Sequence, residues 1–131
     1  MSVSAQLAVR NGRAAVAFYE QAFGAHVVHR VGGTDSEPEI VAQLTLGGTT
    51  FWVSDEAPEV GNYSPASLGG GTVKLLLQTE DPLAVHSRAL ELGATDAGAV
   101  EAAHGWLIGR IVDPFGHTWE IAKPQGEWPP S

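Results

Sequence analysis

Two stretches of this 131-residue chain say nearly the same thing about 69 residues apart, and that repetition limits the fold more than any other feature. Ala14 to Ala25 reads AAVAFYEQAFGA and Leu83 to Ala94 reads LAVHSRALELGA, so Ala15/Ala84, Val16/Val85, Gly24/Gly93 and Ala25/Ala94 coincide. A second echo follows each helical stretch. LTLGGTTFWVSDE (Leu44 to Glu56) and IVDPFGHTWEIAKP (Ile111 to Pro124) both read as strand, glycine turn, strand, aligned at a shift of about 68. Each half is of a size at which a lone core is marginal, roughly 60 residues, so two like modules are expected to stack on a shared core. A site built from both would then draw matching positions from each half.

Within the first half, Ser2 to Val9 alternates as a half-buried strand. Asn11 is placed to cap a helix carrying Val16, Tyr19 and Phe23 on one face, and Gly24 ends it. Strands are expected at 26–31, 39–46 and 49–54, the last two joined by a tight Gly47-Gly48 hairpin. Residues 55–71 (DEAPEVGNYSPASLGGG) read as the loop that links the modules, with its GGG run as a flexible module linker, and the segment is long enough to act also as a mobile lid. In the second half, 72–79 reads as a strand, and Asp81-Pro82 opens a helix bearing Val85, Ala89 and Leu92 and closed by Gly93. Strands over 95–100, 106–112 and 117–122 follow, with Asp113-Pro-Phe-Gly116 as the turn before the last. These expectations amount to an α+β chain of two tandem βαβββ modules: 2–54, the linker, and 72–124, one domain over 1–124, with a Pro-rich tail at 125–131.

Fifteen acidic against seven basic side chains give a net charge of -8, which argues against nucleic acid and anionic membrane surfaces as partners. The acids are unevenly spread. Between Arg30 and Lys74 there is no Lys or Arg, while Asp35, Glu37, Glu39, Asp55, Glu56 and Glu59 all fall inside the gap, a pattern that could attract a cationic ligand. No apolar run approaches the ~20 residues needed to span a bilayer, and MSVSAQLAV lacks a basic leader and cleavage site, which points to the cytoplasm. The absence of cysteine excludes disulfides, thiolate metal sites and cysteine nucleophiles.

FYEQAFGA after a first strand, a second helix ending in LGA, and above all DPFGHTWEIAKP resemble the glyoxalase / bleomycin resistance protein / extradiol dioxygenase superfamily, the vicinal oxygen chelate proteins. The resemblance covers 2–124. It implies paired βαβββ modules forming an open, incomplete barrel around a cavity, commonly as a homodimer. Metal-dependent members hold one divalent ion with side chains from the first and last strands of each module. Carried onto this chain, those positions are Ser4, Trp52, Lys74 and Glu120. Only Glu120 is a strong ligand: Ser4 is a poor neutral donor, Trp52 offers no lone pair, and Lys74 brings a positive charge to where a cation belongs. The usual metal site is therefore expected to be lost, with no cofactor in its place. Lys74 and Glu120 should instead lie within salt-bridge distance, either closing off the vestigial site or contacting a polar ligand.

The cavity expected from this carry-over is lined by Ser4, Gln6, Trp52, Lys74, Leu76, Trp106 and Glu120, and Lys74 and Glu120 are the catalytic candidates if there is catalysis. Trp52 and Trp106 read either as pocket walls or as barrel core. Trp119 must face the other way from Glu120, and Trp128 could anchor on a partner subunit. The histidines show no metal-pair spacing: His26 and His29, three apart on a strand, should point to opposite faces, and His86, His104 and His117 read as surface, core-edge or loop residues. DPFG is a turn rather than a catalytic motif. GGGT at Gly69 leads into a strand, not the helix a phosphate site needs. The resulting expectation is a metal-independent small-molecule binding protein, resembling antibiotic-sequestering members that hold cationic drugs in aromatic-lined grooves. The alternatives are a metal-dependent lyase, isomerase or dioxygenase with atypical ligands, or a metal-free enzyme using Lys74 and Glu120.

Overall fold

The computed structural model describes residues 1–131, and the chain divides into two compact units, Met1–Gly70 and Gly71–Ser131. In the first unit the elements run β1 (Gln6–Val9), α1 (Gly12–Phe23), β2 (His26–Gly32), β3 (Ile40–Leu46) and β4 (Thr49–Asp55), followed by a 3-10 turn (Pro58–Val60) and a short α2 (Pro65–Leu68). The sheet order is β1-β4-β3-β2, with β1 parallel to β4 and the other pairs antiparallel. A strand, a helix crossover and a meander make this a βαβββ module.

Local chemistry sets the ends of α1. The Asn11 side chain accepts the Ala14 amide at 3.2 Å, and Gly24, at φ 74, lets the chain turn away while its amide closes on Glu20 and Tyr19 carbonyls. The buried face of the helix, Ala15, Val16, Tyr19 and Ala22, lies on the sheet face that carries Leu44, Phe51 and Val53. Tyr19 is wholly buried, its ring edge-on to Phe51 at 5.7 Å and stacked on Phe23 at 5.9 Å. Burial of one such side chain contributes about 1.5–3 kcal/mol. Asp55 ties the start of the helix to the sheet, accepting the Gly12 amide on one oxygen (2.8 Å) and the Ile40 amide on the other (2.6 Å).

The second unit repeats the plan: β5 (Lys74–Gln78), α3 (Pro82–Glu91), β6 (Thr95–Ala103), β7 (Trp106–Val112) and β8 (Thr118–Pro124), in the order β5-β8-β7-β6, with β5 parallel to β8. Asp81 accepts the Ala84 amide at 3.1 Å and Pro82 occupies the first turn of α3. Ile111, Trp119 and Ile121 are buried on the α3 side of the sheet. The helix turns Pro82, His86 and Ala89 inward, a face rotated from the expected Val85, Ala89 and Leu92. His86 fills the core edge, its Nε2 3.3 Å from the Arg110 carbonyl oxygen and 3.4 Å from Asp96 Oδ1. The α+β class and the two tandem βαβββ modules are as expected, and neither sheet closes into a barrel of its own.

Three expectations need correction. Strand β1 begins at Gln6 rather than Ser2, because as an edge strand it pairs only along β4, from Gln6 opposite Trp52 onward. Residues 55–71, expected as loop, contain the 3-10 turn and α2 ahead of the GGG run. Glu56 helps to hold them, its oxygens accepting the Ser64 amide and the Ser67 hydroxyl, each at 2.9 Å, with Arg10 at 3.6 Å, beside the Ala57–Asn62 bridge and the Ser64 cap on α2. Third, His26 and His29 share a face, because a bulge between Val27 and His29 inserts one unpaired residue and shifts the alternation, leaving them opposite Thr45 and Gln43. His104 has a specific structural role of its own: with φ 52 it forms a two-residue hairpin turn with Gly105 between β6 and β7.

The Glu56 contacts give a pH-dependent prediction. The Ser64 amide, then the Ser67 hydroxyl, hold the Glu56 carboxyl below its usual 4.5, partial burial opposes them, and Arg10 adds a smaller lowering. A depressed folded pKa means the folded state binds the proton less readily than the unfolded chain. The stabilisation is therefore complete above about 4.5 and is lost as pH falls through the lower folded value. Glu56→Gln should reproduce at neutral pH what acid does to the native protein, with faster amide exchange at Ser64 and Ser67. Unchanged exchange in the variant would mean that the segment is held by other contacts.

Candidate functional site

In the second module the sheet face opposite α3 carries Lys74, Leu76, Ile108, Arg110 and Glu120. Their common side follows from register: Leu76 and Arg110 are each directly opposite Glu120 on the flanking strands, and Lys74 is two residues before Leu76. Lys74 Nζ lies 3.6 Å from Glu120 Oε1, and Arg110 Nη2 lies 3.2 Å from Glu120 Oε2. The expected Lys74–Glu120 approach is thus present, with a third member that the sequence reading missed. Arg110 could have been found by counting outward from the Asp113–Gly116 turn, two residues beyond the Val112/Thr118 pair. Glu120 is mostly covered, at 21% exposure, whereas the Lys74 and Arg110 side chains are 50% and 44% exposed, so each pair stabilises the fold by about 1 kcal/mol or less.

A cavity of about 240 Å³ adjoins the cluster, lined by Ala97, Ala99, Glu101, Ile108, Arg110 and Glu120. Small side chains on the irregularly paired β6 leave this space open. Trp106 lies on the same face of β7, four residues from Arg110, and meets the tail's Trp128 edge-on at 5.1 Å. Trp128 therefore packs within its own chain, although its ring remains half-exposed. Trp119 faces α3 as expected, 4% exposed, its indole N–H donating to Asp113.

In the first module, the face opposite α1 carries a row across the sheet: Gln6, Trp52, Gln43 and His29 are consecutive cross-strand partners. Trp52 is half-buried there, and Ser4 lies before the strand, exposed. A separate cavity of about 610 Å³ is lined by Glu37, Glu39, Asp55 and Glu56 together with Val31 and Ile40, with no Lys or Arg in its lining although Arg10 pairs with Glu56. Two of those carboxylates are already engaged, Asp55 with backbone amides and Glu56 with the Ser64–Ser67 turn.

The family-model comparison matches residues 4–122 to the glyoxalase-like domain. The chain belongs to the glyoxalase-like domain family. A similar sequence, an uncharacterized protein of Mycobacterium bovis, is 36% identical over 130 residues, covering 96% of this chain and 85% of that protein. The X-ray structure of a gene product from Arabidopsis thaliana is 30% identical, superposes with a TM-score of 0.71 and covers 93% of this chain and 98% of its own. A fosfomycin resistance protein from Listeria monocytogenes shares the fold at a TM-score of 0.72 and 14% identity, with 98% and 94% of the two chains covered.

The resemblance implies a divalent ion in some glyoxalase-like members, and the residues here do not fit one. Of the four positions, Ser4 is a lone hydroxyl outside its strand, Trp52 has no donor lone pair, and Lys74 is itself a cation. Glu120 is the one carboxylate, and each of its oxygens already faces a basic side chain.

Proposed function

We propose that this glyoxalase-like protein is a metal-independent small-molecule binding protein, acting as a cytoplasmic homodimer. The observation that carries the reading is the engagement of Glu120 by Lys74 and Arg110, at 3.6 and 3.2 Å, in the place where a metal-dependent relative would need a free carboxylate. The same geometry weakens the metal-free enzyme alternative. A proton taken up by Glu120 would remove the charge that pairs with Lys74 and Arg110, so a base at this position would have to give up both ion pairs.

A second reading, a cationic antibiotic as the ligand, is favoured by the carboxylate-lined cavity of the first module and the net charge of -8. Metal analysis of protein purified without chelator should find nickel, zinc, iron and manganese each far below one ion per chain, and light scattering should give twice the chain mass. Calorimetry with bleomycin-like cationic compounds tests the second reading. A stoichiometric divalent ion would overturn the first, and absence of heat with every cationic aromatic compound would remove the second.

A further inference from the structure

We infer that the Lys74–Glu120–Arg110 cluster and its adjoining cavity form a receptor for a small monoanion, an apolar body carrying one carboxylate. The inference rests on the metal-independent reading above and adds the chemistry of the ligand. The chain has seven basic residues against fifteen acidic ones, yet two of the seven converge on a single carboxylate on one sheet face. The three side chains sum to one positive charge in a protein that is otherwise strongly negative, and Glu101, which lines the same cavity, stands outside the two ion pairs.

Hydrogen-bonding capacity points the same way. An ammonium has three donors and a guanidinium five in a planar fork suited to a carboxylate. Glu120 meets one nitrogen of each, and the two basic side chains remain 50% and 44% exposed, so donors are left for a second anion. Arg110 and Glu120 line the adjoining cavity together with Ala97, Ala99, Glu101 and Ile108. At about 240 Å³ this open groove has the volume for a single ring beside Arg110. Charge at the rim sets the limit on the ligand. Glu101 and Glu120 both line the cavity, which disfavours a dianion, and a cationic ligand would have to approach Arg110.

Benzoate is the probe, with benzylamine as its cationic counterpart of similar shape. In a ¹⁵N-amide titration at neutral pH with chelator present, benzoate should shift Ala102, Ile108, Gly109 and Arg110, and benzylamine should not. Lys74→Met and Arg110→Met should each weaken benzoate binding by about tenfold with melting temperatures close to native, as expected for exposed side chains. Glu120→Gln, which removes the internal competitor, should tighten it severalfold, an outcome a merely structural ion pair would not give. Unchanged binding in Arg110→Met, weaker binding in a folded Glu120→Gln, or benzylamine at the same amides would each overturn the inference. If Glu120→Gln fails to fold, the Lys74 and Arg110 variants still decide. Benzoate binding that vanishes with chelator and returns with zinc would instead overturn the metal-independent reading. No binding at all by the metal-free protein would defeat only the monoanion receptor.

Discussion

Asp113→Ala is expected to remove about 3–5 kcal/mol from the stability of the second module, because the substitution orphans three donors around a buried carboxylate. Asp113 is 3% exposed. One oxygen accepts the Phe115 amide at 2.9 Å and the His117 amide at 3.0 Å, which fixes the turn, while the other accepts the Trp119 indole N–H at 2.9 Å. The Asp113 backbone closes the same turn through its amide to the His117 carbonyl and its carbonyl to the Gly116 amide. An unmet buried donor costs about 1–3 kcal/mol, and three that share a single acceptor group are not fully additive. Trp119 loses its polar anchor inside the core under α3, so the loss is felt beyond the turn. Thermal melting should show a fall of roughly 10 °C or more, with Asp113→Asn in between because it keeps the volume and one carbonyl acceptor. An alanine variant melting within about 2 °C of the native protein would show that water or a rearranged turn replaces the carboxylate.

This role of Asp113 separates what the sequence could say from what it could not. DPFG was legible as a turn because Pro and Gly act on their own backbone, and the Asn11 and Asp81 caps were legible because they bond three residues on. Trp119 and Glu120 could be assigned to opposite faces from strand alternation alone. Alternation fails wherever a residue is inserted. The bulge at Val28 leaves no local mark in HVVHR, so His26 and His29 were placed on opposite sides. The 55–71 segment misled for another reason. Its Gly, Pro and Ser content describes an isolated chain, whereas its fold draws on contacts such as those of Glu56, which reaches an amide 8 residues away and a hydroxyl 11 residues away. In the candidate site, family positions led to Lys74 and Glu120, but Arg110 comes from the neighbouring strand and is visible only once the hairpin register is counted.

Gly32→Ala is expected to cost about 3 kcal/mol, combining a left-handed conformation worth about 1–2 kcal/mol with a steric conflict of similar size. Gly32 has φ 74, and a methyl group there would run into the backbone carbonyl of Glu39, a neighbour with no flexible side-chain end to yield. That carbonyl also accepts the Gly33 amide at 2.9 Å, and the loop it closes is pinned by the Thr34 amide on the Glu37 carbonyl, also 2.9 Å. Relief of the clash therefore means opening the loop that joins β2 to β3. Gly47→Ala is the control. Gly47 has φ 56 but nothing within 4 Å of its added carbon, so it carries the conformational cost alone, about 1–2 kcal/mol. The difference in denaturant midpoint between the two variants isolates the steric part. Equal midpoints would mean that the β2–β3 loop shifts freely, and the carboxylates of Glu37 and Glu39, which border the first module's cavity, would then not be held in fixed positions for a ligand.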